Sequence, residues 1–297
     1  MLKTLQNAFK IKEIREKLLY TFFMLVVIRL GSQLPIPGVD TKFFAELFAR
    51  QSSDAFGFFN TITGGSFTNM SVFALSITPY ITSSIIMQLL TIAIPKLEEM
   101  QREGEDGRKK IAEYTRYLTV GLALMQSIAM SVGFGGRGLL IDFNAVSVIV
   151  AIATMTSGSA MLMWIGERIT ERGVGNGISI VLLFNIISTL PSDMITLYER
   201  FLVGKNVPVA TVSLIIILAI ILAMVVFVIV LQDGERRIPV QYSKKMQGRK
   251  MVGGQSTNIP LKVNTAGVIP VIFASSLMSF PVVIAEFFQV DYATFGG

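Results

Sequence analysis

Apolar residues in this chain come in long blocks, separated by polar stretches that hold most of the charge. They neither alternate as in a half-buried strand nor form one narrow helical stripe. Seven blocks approach the roughly 20 apolar residues a helix needs to cross a hydrocarbon core of about 30 Å. They are Leu18–Leu34, Val72–Ile94, Leu118–Phe134, Ala145–Ile165, Gly177–Leu190, Ala210–Leu231 and Ala266–Phe288. Gly177–Leu190 has only 14 residues, so it must tilt, extend past its ends or be surrounded by protein. The pattern predicts an all-α integral membrane protein, a polytopic helical bundle. One segment fits none of the blocks. Phe56–Phe67, FGFFNTITGGSF, is too short to span and too apolar for an ordinary loop, and it directly precedes the uncharged run Val72–Ile94.

Composition agrees with the pattern. Of 297 residues 52% are hydrophobic and 15% charged, with a mean hydropathy of +0.62, values typical of membrane proteins. Cysteine and histidine are absent, which excludes disulfides, thiolate or imidazole catalysis and the usual zinc and haem ligands. Charges within the spans are scarce. Arg29 interrupts the first near its far end, and Glu286 lies near the end of the last. No enzyme chemistry and no metal site is expected. Basic residues precede Leu18–Ile28 as they would in a signal peptide. Glu13 and Glu16 among them, and the lack of a small-x-small cleavage site in GSQLPIPG, indicate a retained first helix.

Charge sets the orientation. With the N-terminus inside, the predicted cytoplasmic segments hold 20 lysines and arginines and the outer ones 5, Arg29 being the remaining one of 26. Positive residues stay cytoplasmic, so the expectation is an internal N-terminus and seven crossings. Receptors with seven helices and an outer N-terminus do not fit. Nor do retinal pumps, which need a lysine in the last helix.

The polar segments differ in character. Lys96–Arg116 balances six basic against six acidic residues and reads as a solvated turn between helices. Gln232–Thr265 carries seven basic residues against Asp233 and Glu235. At 34 residues it is longer than topology requires. RRIPVQYSK within it reads as a strand pair or extended hairpin, and its charge suits an acidic or nucleic-acid partner. RITERGVGNGISI has its third glycine one place too early for a dinucleotide fingerprint and no strand before it. It is expected to form a tight turn, with Asn176 capping the helix that follows. Pro79, Pro270 and Pro281 are candidates to kink their helices. Ile77 and Ile81, Ile178 and Leu182, and Val268 and Ile272 are pairs four apart on one helix face. Ordinary packing explains such pairs; a hydrophobic constriction in a channel would use the same side chains.

ITPYITSSIIMQLL, GEDGRKKIAEYTRY, MLMWIGERITERGVGNGISI, RRIPVQYSKKMQGRK and QSTNIPLKVNTAGVIPVIFASS occur here in this order. Together, from about Phe9 onward, they resemble the SecY family, the core subunits of the bacterial protein-conducting channel. The resemblance implies ten helices in two pseudo-symmetric inverted halves around a pore, sealed by an apolar ring and an outer plug, with a lateral gate into lipid. Seven spans leave the second half incomplete. The eighth and tenth helices of the family are not represented, so the sequence is expected to be partial or complemented by another chain. The implied organisation is a cytoplasmic segment 1–17, a first half 18–190 and the start of a second half 191–297.

By the same resemblance Ile77, Ile81, Ile178, Leu182 and Ile272 correspond to ring positions. Phe58, Phe59, Asn60, Thr61, Ile62, Thr63, Gly64, Gly65, Ser66 and Phe67 correspond to the plug, with Gly64 and Gly65 as a hinge. Arg236, Arg237, Lys244, Lys245, Arg249 and Lys250 lie in the loop that meets the ribosome or the motor. Thr82, Ile86 and Leu89, about 100° round the helix from the ring residues, are assigned to the lateral gate. The implied partners are SecE, SecG, SecA, the ribosome, signal peptides, nascent polypeptides and the lipid bilayer. The implied location is the bacterial plasma membrane. A secondary transporter on inverted repeats is the alternative, but it would place an ionisable residue at the midplane, and no span has one centrally. An insertase with a hydrophilic groove would want a charge in that groove, which is likewise not seen.

Overall fold

The computed structural model describes residues 10–41, 54–203, 207–240, 245–247, 250–252, 257–265, 267 and 274. The chain divides into two compact units, 1–191 with 271–297, and 192–270.

In the first unit, α1 (Lys12–Gln33) is followed by the half-helix α2 (Asp54–Thr63), then α3 (Thr78–Ala93), α4 (Pro95–Arg102), α5 (Glu105–Phe134), α6 (Ala145–Arg172) and α7 (Gly177–Phe201). The unit boundary falls inside α7, at Pro191. α5 packs on both α3 and α6, and α6 also packs on α1. Four described helices, α5, α6, α7 and α8 (Val207–Asp233), are long and apolar enough to span, and α3 with α4 is a fifth if the 102° bend between them is one broken span. α1 is long enough, but Glu16, Lys17 and Arg29 fall within its most apolar stretch.

The structure corrects three expectations and settles how a fourth block reaches its length. Val72–Ile94 is not one helix: residues 64–77 are mostly turns, and helix begins only at Thr78. Pro79 therefore kinks nothing. It sits at the start of α3, where its missing N–H costs no helical bond and its fixed φ suits the first turn. Lys96–Arg116 is mostly helix, turning at Glu103 and Gly104, with Gly104 at φ +90°. The short block Gly177–Leu190 gains its length by running on through Pro191 to Phe201. Of Ala266–Phe288 only Gly267 and Ala274 are among the described residues, and Pro270 and Pro281 lie outside them.

Two apolar cores fill this unit. One joins the strap 34–40 and the turn 67–75 to α5, α6 and Leu139–Leu140; its members include Ile36, Phe67, Met70, Phe134 and Met155. The strap supplies backbone bonds on both sides, Ile36 N–H to Met70 O at 3.0 Å and Asp40 N–H to Leu139 O at 2.8 Å. The other core contains Ile28, Phe73, Ile77, Ile81, Leu162, Ile165, Ile169 and Val181. Small residues let its helices meet. A Cβ on Gly158 would lie 2.0 Å from Val72 O, and one on Gly177 would lie 2.0 Å from Gly166 O.

In the second unit, α8 is apolar on every face, with mean hydropathy 3.7 in its spanning window, as a helix in lipid must be. After Gly234 the chain forms a nested antiparallel hairpin. β1 (Glu235–Val240) pairs with β4 (Thr257–Lys262), and β2 (Lys245–Gln247) pairs with β3 (Lys250–Val252). Val263 N–H to Gly234 O, 2.9 Å, closes its base. The extended hairpin expected in this loop is present.

Candidate functional site

Four of the five ring candidates converge. Ile77 and Ile81 belong to the second core, and Ile178 and Leu182 pack against it, partly exposed. Local structure explains the meeting. Ile77 is the N-cap position of α3, and Ile81 is one turn further on the same face. Ile178 and Leu182 occupy the first two turns of α7. That helix is started where expected, by Asn176, whose side-chain oxygen accepts from Ile178 N–H at 3.1 Å and Ser179 N–H at 3.4 Å. The turn before it is docked twice. Gly177 N–H donates to Thr170 Oγ1 at 2.8 Å, and Val174 N–H donates to Thr21 Oγ1 at 3.2 Å. Gly166 makes room for the tips: a Cβ there would lie 3.2 Å from Ile178 Cδ1 and 3.5 Å from Ile77 Cδ1. Ile272 lies outside the described residues.

The FGFFNTITGGSF segment forms the C-terminal part of α2 and the turns beyond it. The half-helix ends in a Schellman motif. Gly64 N–H donates to Thr61 O at 3.1 Å and Gly65 N–H to Asn60 O at 3.0 Å, with Gly64 at φ +68°. Asn60 Oδ1 then accepts from Thr68 N–H and Thr68 Oγ1. Ile62, Thr63, Ser66 and Phe67 are buried. The side chains of Phe56, Phe58 and Phe59 lie outside the described set. The two glycines expected to act as a hinge differ in their surroundings, Gly65 having open space beside it. A Cβ on Gly64 would stand 3.0 Å from Ser188 Oγ and 3.1 Å from Asn185 Cα, so Gly64 is seated against α7. The turns that follow satisfy their own backbone, Ser71 N–H to Ser66 O at 3.0 Å and Ala74 N–H to Ser71 O at 2.8 Å among them. Non-helical backbone at membrane depth needs such internal partners.

Between the apolar cluster and the half-helix lies a polar layer. Asn185 Nδ2 donates to Ser76 Oγ at 3.2 Å, and Ser159 Oγ donates to Ser76 O at 3.3 Å. Arg29 Nη1 donates to Gly64 O and to Ser188 Oγ, both at 3.3 Å. Of this layer the sequence reading noted Arg29 as an interruption but gave it no role, and did not single out Ser76, Ser159, Asn185 or Ser188. The available signal was the lone arginine itself, since a charge in an apolar span marks function by default.

Thr82 and Ile86 are half-buried and Leu89 is exposed; Thr82 Oγ1 donates to Thr78 O within α3 at 3.1 Å. Arg236 and Arg237 stand exposed on β1. Lys245 and Lys250 lie on β2 and β3, their side chains outside the described set, and Lys244 and Arg249 are outside it altogether.

A half-helix seated beside an apolar cluster in a multi-span bundle is the arrangement the motifs led to, and comparison with known proteins decides the family. A model of the SecY family matches residues 71–296. The chain belongs to the SecY family. It is 45% identical over 298 residues to protein translocase subunit SecY of Halalkalibacterium halodurans, covering 98% of this chain and 68% of that protein. Identity is 44% to the Corynebacterium glutamicum subunit and 43% to that of Escherichia coli K12. The chain spans less than two thirds of those two, 64% and 62% of their lengths.

Among solved structures, a protein-conducting channel superposes with a TM-score of 0.56 at 20% identity, over 93% of this chain and 59% of the other. A SecY structure whose plug domain stabilises the closed state and maintains a membrane seal gives 0.58, also at 20% identity, over 93% and 58%. Sec61 in the canine ribosome–channel complex gives 0.54 at 20% identity, over 93% and 59%. These likenesses show that the fold of the family's channels, a multi-pass helical membrane fold, is shared.

Proposed function

We propose that this chain supplies the pore-forming wall of a Sec translocon, a passive conduit for unfolded polypeptide across the membrane and laterally into it. One observation carries the reading. Ile77, Ile81, Ile178 and Leu182 meet in a single apolar cluster, and the end of the half-helix α2 is seated on α7 at Asn185, about one turn beyond Leu182. Apolar side chains around a narrow pore resist wetting and stop ions, while offering a passing chain no hydrogen bond to hold it. Ile272 is proposed to complete the ring, residues 58–67 to act as the plug above it, and Thr82, Ile86 and Leu89 to face the lateral gate. The chain is proposed to act without chemistry of its own, driven by partners.

The same reading places the N-terminus in the cytoplasm of a bacterial cell and the protein in the plasma membrane. The first half comprises 18–190 and the second begins at 191. SecE and SecG are the proposed companion subunits, and the β-hairpin of 232–265 the docking element for SecA or the ribosome. The curated relatives are named protein translocase subunits, which favours a conduit over a transporter. Single-channel conductance in planar bilayers tests the proposal. The complete channel carrying Ile81→Ser, or lacking residues 58–67, should leak ions at rest while still translocating substrate. Two variants as tight as wild type would reduce these side chains to ordinary packing.

A further inference from the structure

Arg29 is the only charged residue between Leu18 and Gln33. It is half-buried, and among the described residues it donates to two neutral oxygens on two other elements, Gly64 O at the end of the half-helix and Ser188 Oγ on α7, each at 3.3 Å. We propose that Arg29 is a latch, a positioning residue that pins the C-terminus of the plug half-helix to the α1 and α7 wall and thereby sets how readily the channel opens. The proposal rests on the reading of this half-helix as a plug.

The chemistry of the contact favours a latch. The last carbonyls of a helix carry its partial negative charge and lack intrahelical partners. Here the Schellman bonds occupy Asn60 O and Thr61 O, and the carbonyl of Gly64, just past the helix end, receives a guanidinium. Arginine stays protonated under all relevant conditions, so the bond is always charge-assisted. Ser188 is held in turn, its hydroxyl donating to Asn185 O at 2.7 Å. Its lone pair therefore faces Arg29, and Arg29 is aimed at the plug. Gly64 can approach this closely because it lacks the Cβ that would crowd Ser188 and Asn185.

The contact is also state-dependent, as a latch must be. With the half-helix seated, the guanidinium has partners in a site of low dielectric, where such bonds are strongest. If the half-helix leaves, Arg29 keeps only Ser188 of these two until water enters, and an unpaired charge in an apolar span is costly. Opening therefore couples plug release to wetting of the outer funnel. Any change at Arg29 that weakens the seated state more than the released one shifts the balance toward open.

The test uses the complete membrane-inserted channel with one added cysteine, Thr61→Cys, on the half-helix. Two quantities are read, alkylation of that cysteine by a membrane-impermeant maleimide and resting ion conductance. Arg29→Gln should raise the alkylation rate about tenfold, the scale set by losing a hydrogen bond to a charged group, and raise the leak. Ser188→Ala should move both in the same direction by less, and Arg29→Lys should restore part of the closed behaviour. Wild-type alkylation and leak in both Arg29→Gln and Ser188→Ala would overturn the latch. So would a loss of thermal stability with no change in alkylation of the folded protein, because that is what a packing role predicts. Deleting residues 58–67 separates the two readings. If that deletion leaks while Arg29→Gln does not, the plug stands and the latch falls. If the deletion stays tight, the plug reading fails and takes the latch with it.

Discussion

Asn185 Nδ2 donates to Ser76 Oγ at 3.2 Å, tying α7 to the turn that precedes α3 across 109 residues of sequence. Ser76 is almost fully buried and sits at φ +53°, in the left-handed region that side chains other than glycine seldom occupy. Its backbone is held there by the bonds to Asn185 and Ser159 and by its own N–H donating to Phe73 O at 2.8 Å. The conformation matters because Ser76 immediately precedes Ile77 and so aims the first ring candidate.

A double-mutant cycle at this pair should show coupling. Asn185→Ala removes a buried bond and leaves the Ser76 hydroxyl without that partner, at a cost of about 1–3 kcal/mol. Ser76→Gly loses the same bond but relieves left-handed strain worth about 1–2 kcal/mol, so it should be close to neutral. The double variant should be more stable than Asn185→Ala alone and close to Ser76→Gly, because the shared bond is lost only once. Thermal unfolding of the detergent-solubilised protein checks this, and strictly additive losses would show that the two residues act independently.

The glycines around the ring candidates should separate into tolerant and intolerant sites. At Gly166 an added Cβ meets the terminal carbons of Ile178 and Ile77, which can rotate aside. Gly166→Ala should cost less than about 1.5 kcal/mol, in the range of modest core changes. At Gly177 and Gly158 the added Cβ meets backbone carbonyl oxygens at 2.0 Å, which side-chain rotation cannot relieve. Gly177→Ala and Gly158→Ala should force α7 from α6, and α6 from the turn at Val72, at several kcal/mol. The yield of folded, protease-resistant protein ranks the three, and equal yields would contradict the ranking.

The helices were legible in the sequence because lipid demands long apolar blocks, and the cap at Asn176 because its oxygen serves two backbone N–H groups in sequence order. The convergence of Ile77, Ile81, Ile178 and Leu182 could not be read from spacing alone, since a four-residue repeat marks a shared face without saying what the face meets. The resemblance supplied it. Val72–Ile77 was misread as helix because hydropathy is blind to backbone conformation. Those six residues are apolar or small, but their backbone bonds close turns. The polar layer was hidden for a different reason. Ser76, Ser159, Asn185 and Ser188 lie on three separate elements, and serines in membrane helices usually mark close packing. Only Arg29 stood out singly, and one of its two partners is a backbone carbonyl, which no sequence pattern displays.

Orientation can be tested directly because the chain contains no cysteine. With an internal N-terminus, Ser243→Cys should react with an impermeant thiol reagent only from the cytoplasmic side, and Ser192→Cys only from outside. The expected preference is complete. The basic asymmetry of 20 against 5 leaves one topology favoured over its inverse. Labelling of either cysteine from the opposite side would invert the assignment of plug and docking hairpin together.

The hairpin gives the last prediction. Arg236 and Arg237 are neighbours on β1 and so point to opposite faces of the ribbon, opposite Leu261 and Pro260 of β4. Lys245 and Lys250 lie farther out, on the paired strands β2 and β3, and Arg249 is one residue before the latter in sequence. The ribbon, its base closed at Gly234 and Val263, leaves Arg236 and Arg237 exposed. If the acidic partner is ribosomal RNA, each phosphate contact releases counterions, and log affinity falls linearly with log salt. Arg249→Glu with Lys250→Glu should weaken ribosome binding and flatten that slope by about two contacts' worth. Arg236→Glu alone should flatten it by at most about one. If the partner is a protein motor, affinity should fall with a weaker salt dependence, because a protein surface has no comparable condensed ion layer to release. The measurement is binding of ribosomes and of SecA to the channel in proteoliposomes across a salt series. Affinities unchanged for both partners in both variants would leave the hairpin's charge with topology as its only task.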